Sequence, residues 1–228
     1  MRKLLLASAA LVGMGLFSGG AFAQNTQSGT QNNGNASSFI DQGPVGVNSA
    51  GQTALQSNGT GHNITQDQTN GGTLSQSASM SGAGGPNVIF QNQSGADNSN
   101  QTAAMTGGGY NRIEQTQTNG PRLNATATQD QGAGNRIFQV QTGGSDNTLI
   151  AYQGGGTDNT TRQTQTGGSG NTANSQMNNS ATSTQTTNQD LATNSIITQT
   201  MTGAVVGSSQ NAQQLGTIGS SIVQSMTP

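Results

Sequence analysis

The sequence predicts an all-β solenoid of stacked strand–turn–strand coils with a repeat of about 24 residues. Three observations predict it. Segments opening with asparagine recur at a fixed step. The composition leaves almost no material for an ordinary oily core. Glycine clusters punctuate the segments where tight turns would fall.

The repeat is read directly. Asn87-Val-Ile-Phe-Gln91-Asn-Gln93 is followed by Asn111-Arg-Ile-Glu-Gln115-Thr-Gln117, then Asn135-Arg-Ile-Phe-Gln139-Val-Gln141, then Asn159-Thr-Thr-Arg-Gln163-Thr-Gln165, always at the same step. Asn63 lies one such step before Asn87, but its Gln66 and Gln68 come one position early, which reads as a one-residue deletion in that coil. A looser second strand lies between, clearest in Asn147-Thr-Leu149-Ile-Ala151-Tyr-Gln153. Leu123, Ala125, Ala127 and Gln129 keep its phase one coil earlier, Asn171 and Ala173 one coil later. Ser195, Ile197, Gln199 and Met201 keep it again, and Ser220, Ile222, Gln224 and Met226 repeat that set at a step longer by one. Gly132-Ala-Gly134, Gly143-Gly144, Gly154-Gly-Gly156 and Gly167-Gly168 separate the strands.

Side chains alternate between the faces of a strand. The repeated amide and aliphatic set is placed inside, and the varying set that carries the charges is placed outside. Identical inward residues then stack as ladders: Asn87, Asn111, Asn135 and Asn159; Gln91, Gln115, Gln139 and Gln163; Gln93, Gln117, Gln141 and Gln165; with Asn147, Gln153 and Asn171 in the second strand. An amide both donates and accepts, so each copy can bond the copies above and below. Ile89, Ile113, Ile137, Leu149 and Ile197 form the aliphatic core, and small residues such as Ala125, Ala127, Ala151 and Ala173 let the two sheets approach. From about Phe39 to Met226 there is room for seven to eight coils. The last coil repeats the core set up to Met226 with no polar cap evident, and an uncapped solenoid end invites another copy of itself.

The chain opens Met1-Arg2-Lys3, runs apolar from Leu4 to about Phe17, and reaches Ala21-Phe22-Ala23. This is the pattern of a secretory signal peptide over residues 1–23, too short to span a bilayer. Beyond it, four arginines face eight acids, a formal charge of −4, with no lysine. Charged residues are 6% of the chain and aromatics 3%; there is no cysteine for a disulfide. An uncharged, amide-rich chain of this kind tends to cross-β structure rather than to disorder.

Several function classes find no support. Asp41, Asp67, Asp97, Glu114, Asp130, Asp146, Asp158 and Asp190 are scattered singly, so no acid–base pair points to an enzyme. His62, the one histidine, follows Gly61 and reads as a turn residue without partner ligands, so neither metal nor cofactor is expected. No basic patch suggests nucleic acid, and the aromatics Phe90, Phe138, Tyr110 and Tyr152 have no cations evident beside them. Phe90 and Phe138 occupy equivalent outward places and suit lateral packing of fibrils. Two rival readings stay open. Gly143-Gly-Ser-Asp-Asn147 and Gly154-Gly-Gly-Thr-Asp158-Asn159 suggest calcium turns, although calcium β-helices repeat every nine residues. Thr116/Thr118 and Thr164/Thr166 suggest a monomeric solenoid binding ice or polysaccharide, although Val140 interrupts the ladder.

Gln129-Asp-Gln-Gly-Ala-Gly-Asn135-Arg-Ile-Phe-Gln-Val-Gln141 and Gln141-Thr-Gly-Gly-Ser-Asp-Asn147-Thr-Leu-Ile-Ala-Tyr-Gln153 resemble the curlin repeat, the unit of curli fibres. The resemblance covers most of the chain beyond residue 23 and is clearest over 87–171. The chain departs from the family in a Gln-to-Asn gap of six residues rather than five, and in Ile or Leu where the family has Ala. The resemblance implies residues 24–38 as a flexible Gln/Asn-rich export leader and 39–228 as the repeat region. It implies a secreted, non-enzymatic structural protein that self-assembles into extracellular amyloid fibres at the bacterial surface. The implied partners are further copies, a nucleator or major-subunit homologue, and an outer-membrane secretion pore with accessory factors. Neither a membrane span nor nucleic acid is implied.

Overall fold

The computed structural model describes residues 24–34, 39–46, 49–82 and 85–228. The expected signal peptide, 1–23, lies outside the described residues. Among the described residues, seventeen strands alternate between two parallel sheets. One sheet holds β1 (Gln24–Gly34), β3 (Ser49–Gly59), β5 (Thr73–Ser81), β7 (Ser99–Thr106), β9 (Asn124–Asp130), β11 (Thr148–Gly154), β13 (Thr172–Asn178), β15 (Ile196–Thr202) and β17 (Ser221–Met226). The other holds β2 (Phe39–Val45), β4 (Asn63–Thr69), β6 (Val88–Ser94), β8 (Arg112–Thr118), β10 (Arg136–Thr142), β12 (Thr160–Thr166), β14 (Thr184–Asp190) and β16 (Ser209–Leu215). Each strand pairs in register with the strand two places on, so the chain winds as a β-solenoid of about eight turns.

The constant step makes this geometry possible, because it returns each residue to the same face one coil later. Ile137 sits between Ile113 and Thr161, and Gln141 between Gln117 and Gln165. The step is longer by one between β4 and β6, between β5 and β7, and at both ends of the stack. Each extra residue falls between strands, where it leaves the strand faces intact. This corrects the reading of Asn63. It pairs with Val88, the coil carries no deletion, and His62 is the equivalent of Asn87.

A second correction concerns the leader. Residues 24–34 form β1, paired with β3, and Gln27 and Gln31 donate to Gln52 and Gln56 at 3.1 and 2.8 Å. The same ladder chemistry that holds the later coils extends into this segment. Residues 35–38, the rest of the expected leader, lie outside the described residues.

The corners need left-handed backbone. After the even strands, Gly46, Asn70, Gly95, Asn119, Gly143, Gly167 and Leu191 form one column with φ between 48° and 65°. Gly and Asn are the residues that adopt this region at least cost. At Gly156, φ is 69° and an added Cβ would collide with the Ser180 carbonyl oxygen of the next coil, so no side chain fits. Isolated bridges such as Ser145–Ser169–Thr193 carry the parallel pairing through the turns. The core is thin and continuous. Ala54, Ala78, Ala103, Ala127 and Ala151 from one sheet meet Ile64, Ile89, Ile113 and Ile137 from the other, with Met80 and Met105.

Candidate functional site

Three features stand out: the buried amide ladders, the ends of the stack, and the outer face of the even sheet. The ladders come first. The inward residues of the clearest coils are buried: Asn87, Asn111, Asn135, Asn159, Gln91, Gln115, Gln139, Gln163, Gln93, Gln117, Gln141, Gln165, Asn147, Gln153 and Asn171, with Ile89, Ile113, Ile137, Leu149 and Ile197, whereas Ser220, Ile222, Gln224 and Met226 of the last coil are only partly buried.

The glutamines bond rung to rung. Gln91 Nε2 donates to Gln115 Oε1, Gln115 to Gln139 and Gln139 to Gln163, each at 2.8 Å. Gln68, Gln93, Gln117, Gln141, Gln165, Gln189 and Gln214 form a longer column in the same manner. Across the odd sheet, Gln129 donates to Gln153 at 2.9 Å. Many of these amides also donate to a carbonyl of the opposite sheet, as Gln139 does to Thr126 and Gln163 to Ile150. The ladders thereby tie coil to coil and sheet to sheet.

The asparagines behave differently, which corrects the expectation of amide-to-amide bonding. Asn87 Oδ1 accepts from the backbone N–H of Asn111, Asn111 Oδ1 from that of Asn135, and Asn135 Oδ1 from that of Asn159, at 2.9 to 3.0 Å. Their Nδ2 groups donate to turn carbonyls, including Gly132 and Ser180. The shorter side chain reaches the main chain at the corner rather than its own copy. Asn147 and Asn171 do the same for Asn171 and Ser195.

The column that begins at Gln42 contains a switch that matching identities one coil apart does not reveal. Gln42, Gln66, Gln91, Gln115, Gln139 and Gln163 lie in the even sheet, opposite alanines of the odd sheet. The next even-sheet positions are Thr187 and Ala212, while the odd sheet gains Ser175, Gln199 and Gln224. Large and small exchange sheets together, keeping the core filled. Gln163 Nε2 donates to Ser175 Oγ at 3.1 Å, and Thr187 Oγ1 to Gln199 Oε1 at 2.7 Å. The two hydroxyls are 3.3 Å apart. The ladder starts are imperfect: Gln68, Gln129 and Gln185 each keep a buried Oε1 without a donor among the described residues. Below them in register stand Pro44, Met105 and Thr161.

His62 lies in the corner between β3 and β4, and its side chain is buried there. It is 2% exposed, heads the asparagine column, and both ring nitrogens lack a hydrogen-bond partner among the described residues. Among the described residues no three His, Cys, Asp or Glu side chains converge on a metal position.

The ends differ in polarity. Every glutamine rung donates toward the C-terminal end. At the start, Gln27 and Gln42 meet no donor at Oε1 among the described residues, while their Nε2 groups serve the next coil. At the finish, Gln214 and Gln224 have no further rung among the described residues, and donate to carbonyls of Ile196, Ser220 and Asn211.

The outer face of the even sheet gathers Arg112, Arg136 and Arg162 on three adjacent strands. The guanidinium of Arg162 lies 5.0 Å from the centre of the Phe138 ring, a cation–π contact. Cations therefore do stand beside the aromatics, contrary to the sequence reading; the parallel register brings them together. Arg112 pairs with Glu114 along one strand, and Arg122 with Asp146 between adjacent coils. That pairing holds the Asp146 carboxyl below its ordinary range, chiefly through the Arg122 hydrogen bond. Asp67 is shifted upward, first by burial and then by Asp41. Thr116, Val140 and Thr164 form one outward column and Thr118, Thr142 and Thr166 another, ending at Asn188 and Asp190.

Among the described residues no helix is long and apolar enough to cross a membrane. Compared with protein-family models, with curated proteins and with solved structures, the chain matches none.

Proposed function

We propose that this protein is a secreted structural subunit, similar to the curlins, that stacks end to end into extracellular cross-β fibres. One observation carries the proposal: both sheets are parallel and every glutamine rung donates in the same direction, so the two ends of the solenoid differ and each presents an open strand edge. A second copy added head to tail continues both parallel sheets, its β1 following β17 and its β2 following β16. The joint rests on backbone pairing, because in the native register Gln224 would meet Gly29 and Gln214 would meet Pro44. Heterologous contacts of this kind do not close, and they generate filaments. Unpaired backbone at a sheet edge supplies the template.

The scattered acids and the buried amides give this account no catalytic role to explain. A nucleating homologue, an outer-membrane pore and accessory factors are the partners such a subunit would need. Biofilm matrix, adhesion and surface coating are the roles such a fibre serves.

The test is assembly after dilution from denaturant, followed by thioflavin fluorescence, with a second reaction seeded by the product of the first. A sigmoidal rise whose lag disappears on seeding, with diffraction spacings near ~4.7 and ~10 Å, is expected. A β-rich monomer stable for days overturns the proposal and makes a surface-binding solenoid the better account.

A further inference from the structure

The outer face of the even sheet holds a groove of about 540 Å³ lined by Pro86, Val88, Tyr110, Arg112, Arg136 and Phe138. Its volume falls in the range of small-ligand sites, roughly 300–1,000 Å³. We propose that this groove binds one uronate ring of an acidic polysaccharide.

Three properties converge on that ligand. First, Val88, Arg112 and Arg136 form one outward column, so two arginines rise from backbones one strand spacing apart, about 4.8 Å. Arg112 is engaged by Glu114, but Arg136 has no carboxylate partner among the described residues. A free guanidinium is a fork for a carboxylate, which it holds through two parallel N–H···O bonds.

Second, the remaining walls are aromatic or apolar. Tyr110 is 72% exposed, and its backbone is tied to the Pro86 carbonyl at 2.8 Å, which fixes the rim. Arg162 lies over Phe138 and steadies that ring. Aromatic and proline faces suit the C–H face of a pyranose. Third, the Arg112–Glu114 pair offers hydroxyls both a donor and an acceptor beside the carboxylate site.

A nucleic acid fits less well, because phosphate polymers draw affinity from several cationic contacts along their length. This face carries Asp67 two strands before Arg112 and Asp190 one strand after Arg162, and residues 24–228 have a formal charge of −4. The groove lies on the side of the solenoid, away from both stacking ends. Binding is therefore expected of single chains and of assembled fibres alike, and it stands or falls independently of fibre formation.

The experiment is fluorescence anisotropy of the full chain with a fluorescein-labelled oligogalacturonate. Three comparisons accompany it: the neutral methyl ester of the same oligomer, a single-stranded oligonucleotide of equal charge, and the variants R136Q, R136K and R122Q. Circular dichroism of each variant checks the sheets. The expected result is binding that weakens about tenfold or more with the methyl ester or with R136Q, less with R136K, and not at all with R122Q. No binding overturns the proposal. So does equal binding of the ester, an equal loss in R122Q, or tighter binding of the oligonucleotide.

Discussion

The hydroxyls of Ser175 and Thr187 lie 3.3 Å apart across the core, and at this contact the central glutamine ladder passes from one sheet to the other. Thr187 donates to Gln199, so its own proton is committed, and Ser175 is left to donate to Thr187 while accepting from Gln163. A single directed chain of hydrogen bonds then runs from Gln42 to Gln224 through both sheets. Thr187→Val preserves volume but removes the link, leaving a buried acceptor on Gln199. A loss of about 1–3 kcal/mol is expected in denaturant unfolding of the monomer. Thr186→Val, on the outer face, is expected within about 0.5 kcal/mol of wild type.

The ladders are held by the amide and not by the volume it fills. Gln139 accepts from Gln115 and donates to Gln163 and to the Thr126 carbonyl. Gln139→Leu fills similar space yet strands buried partners on both neighbouring coils. The expected cost is about 1–3 kcal/mol, against a change near zero for the outward Thr164→Val, by the same unfolding measurement.

His62 occupies an asparagine position without making an asparagine's bonds. His62→Asn places a carbonyl oxygen where Asn111 places one for Asn135, within reach of the next coil's backbone N–H. A gain of about 1 kcal/mol is expected. A loss in thermal or denaturant midpoint would show that the ring packs better than its unpartnered nitrogens suggest.

Asp67 and Asp146 titrate with opposite signs. Burial and Asp41 raise Asp67, so its stabilising contribution is present below the ordinary carboxylate value of 3.8 and is lost as pH rises through its folded-state value. Asp67→Asn is therefore expected to stabilise the fold at neutral pH, with the gain vanishing as pH falls below that value. Asp146 is lowered by Arg122, so the small contribution of that exposed pair is present above 3.8 and lost as pH falls through its folded value. Unfolding midpoints across the acid-to-neutral range for Asp67→Asn and Asp146→Asn should diverge in opposite directions.

The solenoid, its step and its inward set are legible in the sequence because they are written as identity at a fixed interval. Ile89, Ile113 and Ile137 stack as the interval implies. The switch at Ser175 and Thr187 is hidden because it is written as substitution. Ala151, Ser175 and Gln199 grow in one column while Gln163, Thr187 and Ala212 shrink in the other. Comparing sizes at half the repeat, rather than identities at the whole repeat, exposes it. The first strand, β1, escapes for a related reason: Gln27 and Gln31 precede Gln52 and Gln56 by one position more than the repeat interval. The arginine face is legible only in part: Arg112 and Arg136 recur at the repeat interval, but Arg162 falls two positions further on and meets Phe138 only after the strands pair.

The most direct measurement of the central claim is mass per length of isolated protofilaments by scanning transmission electron microscopy. Among the described residues, nine strands in one sheet and eight in the other make eight to nine coils, so a head-to-tail stack contains one chain in about 40 Å of axis. That value is the expected result. One chain per ~4.8 Å would mean that the solenoid unfolds into an extended in-register sheet, and it would contradict end-to-end stacking of the native fold.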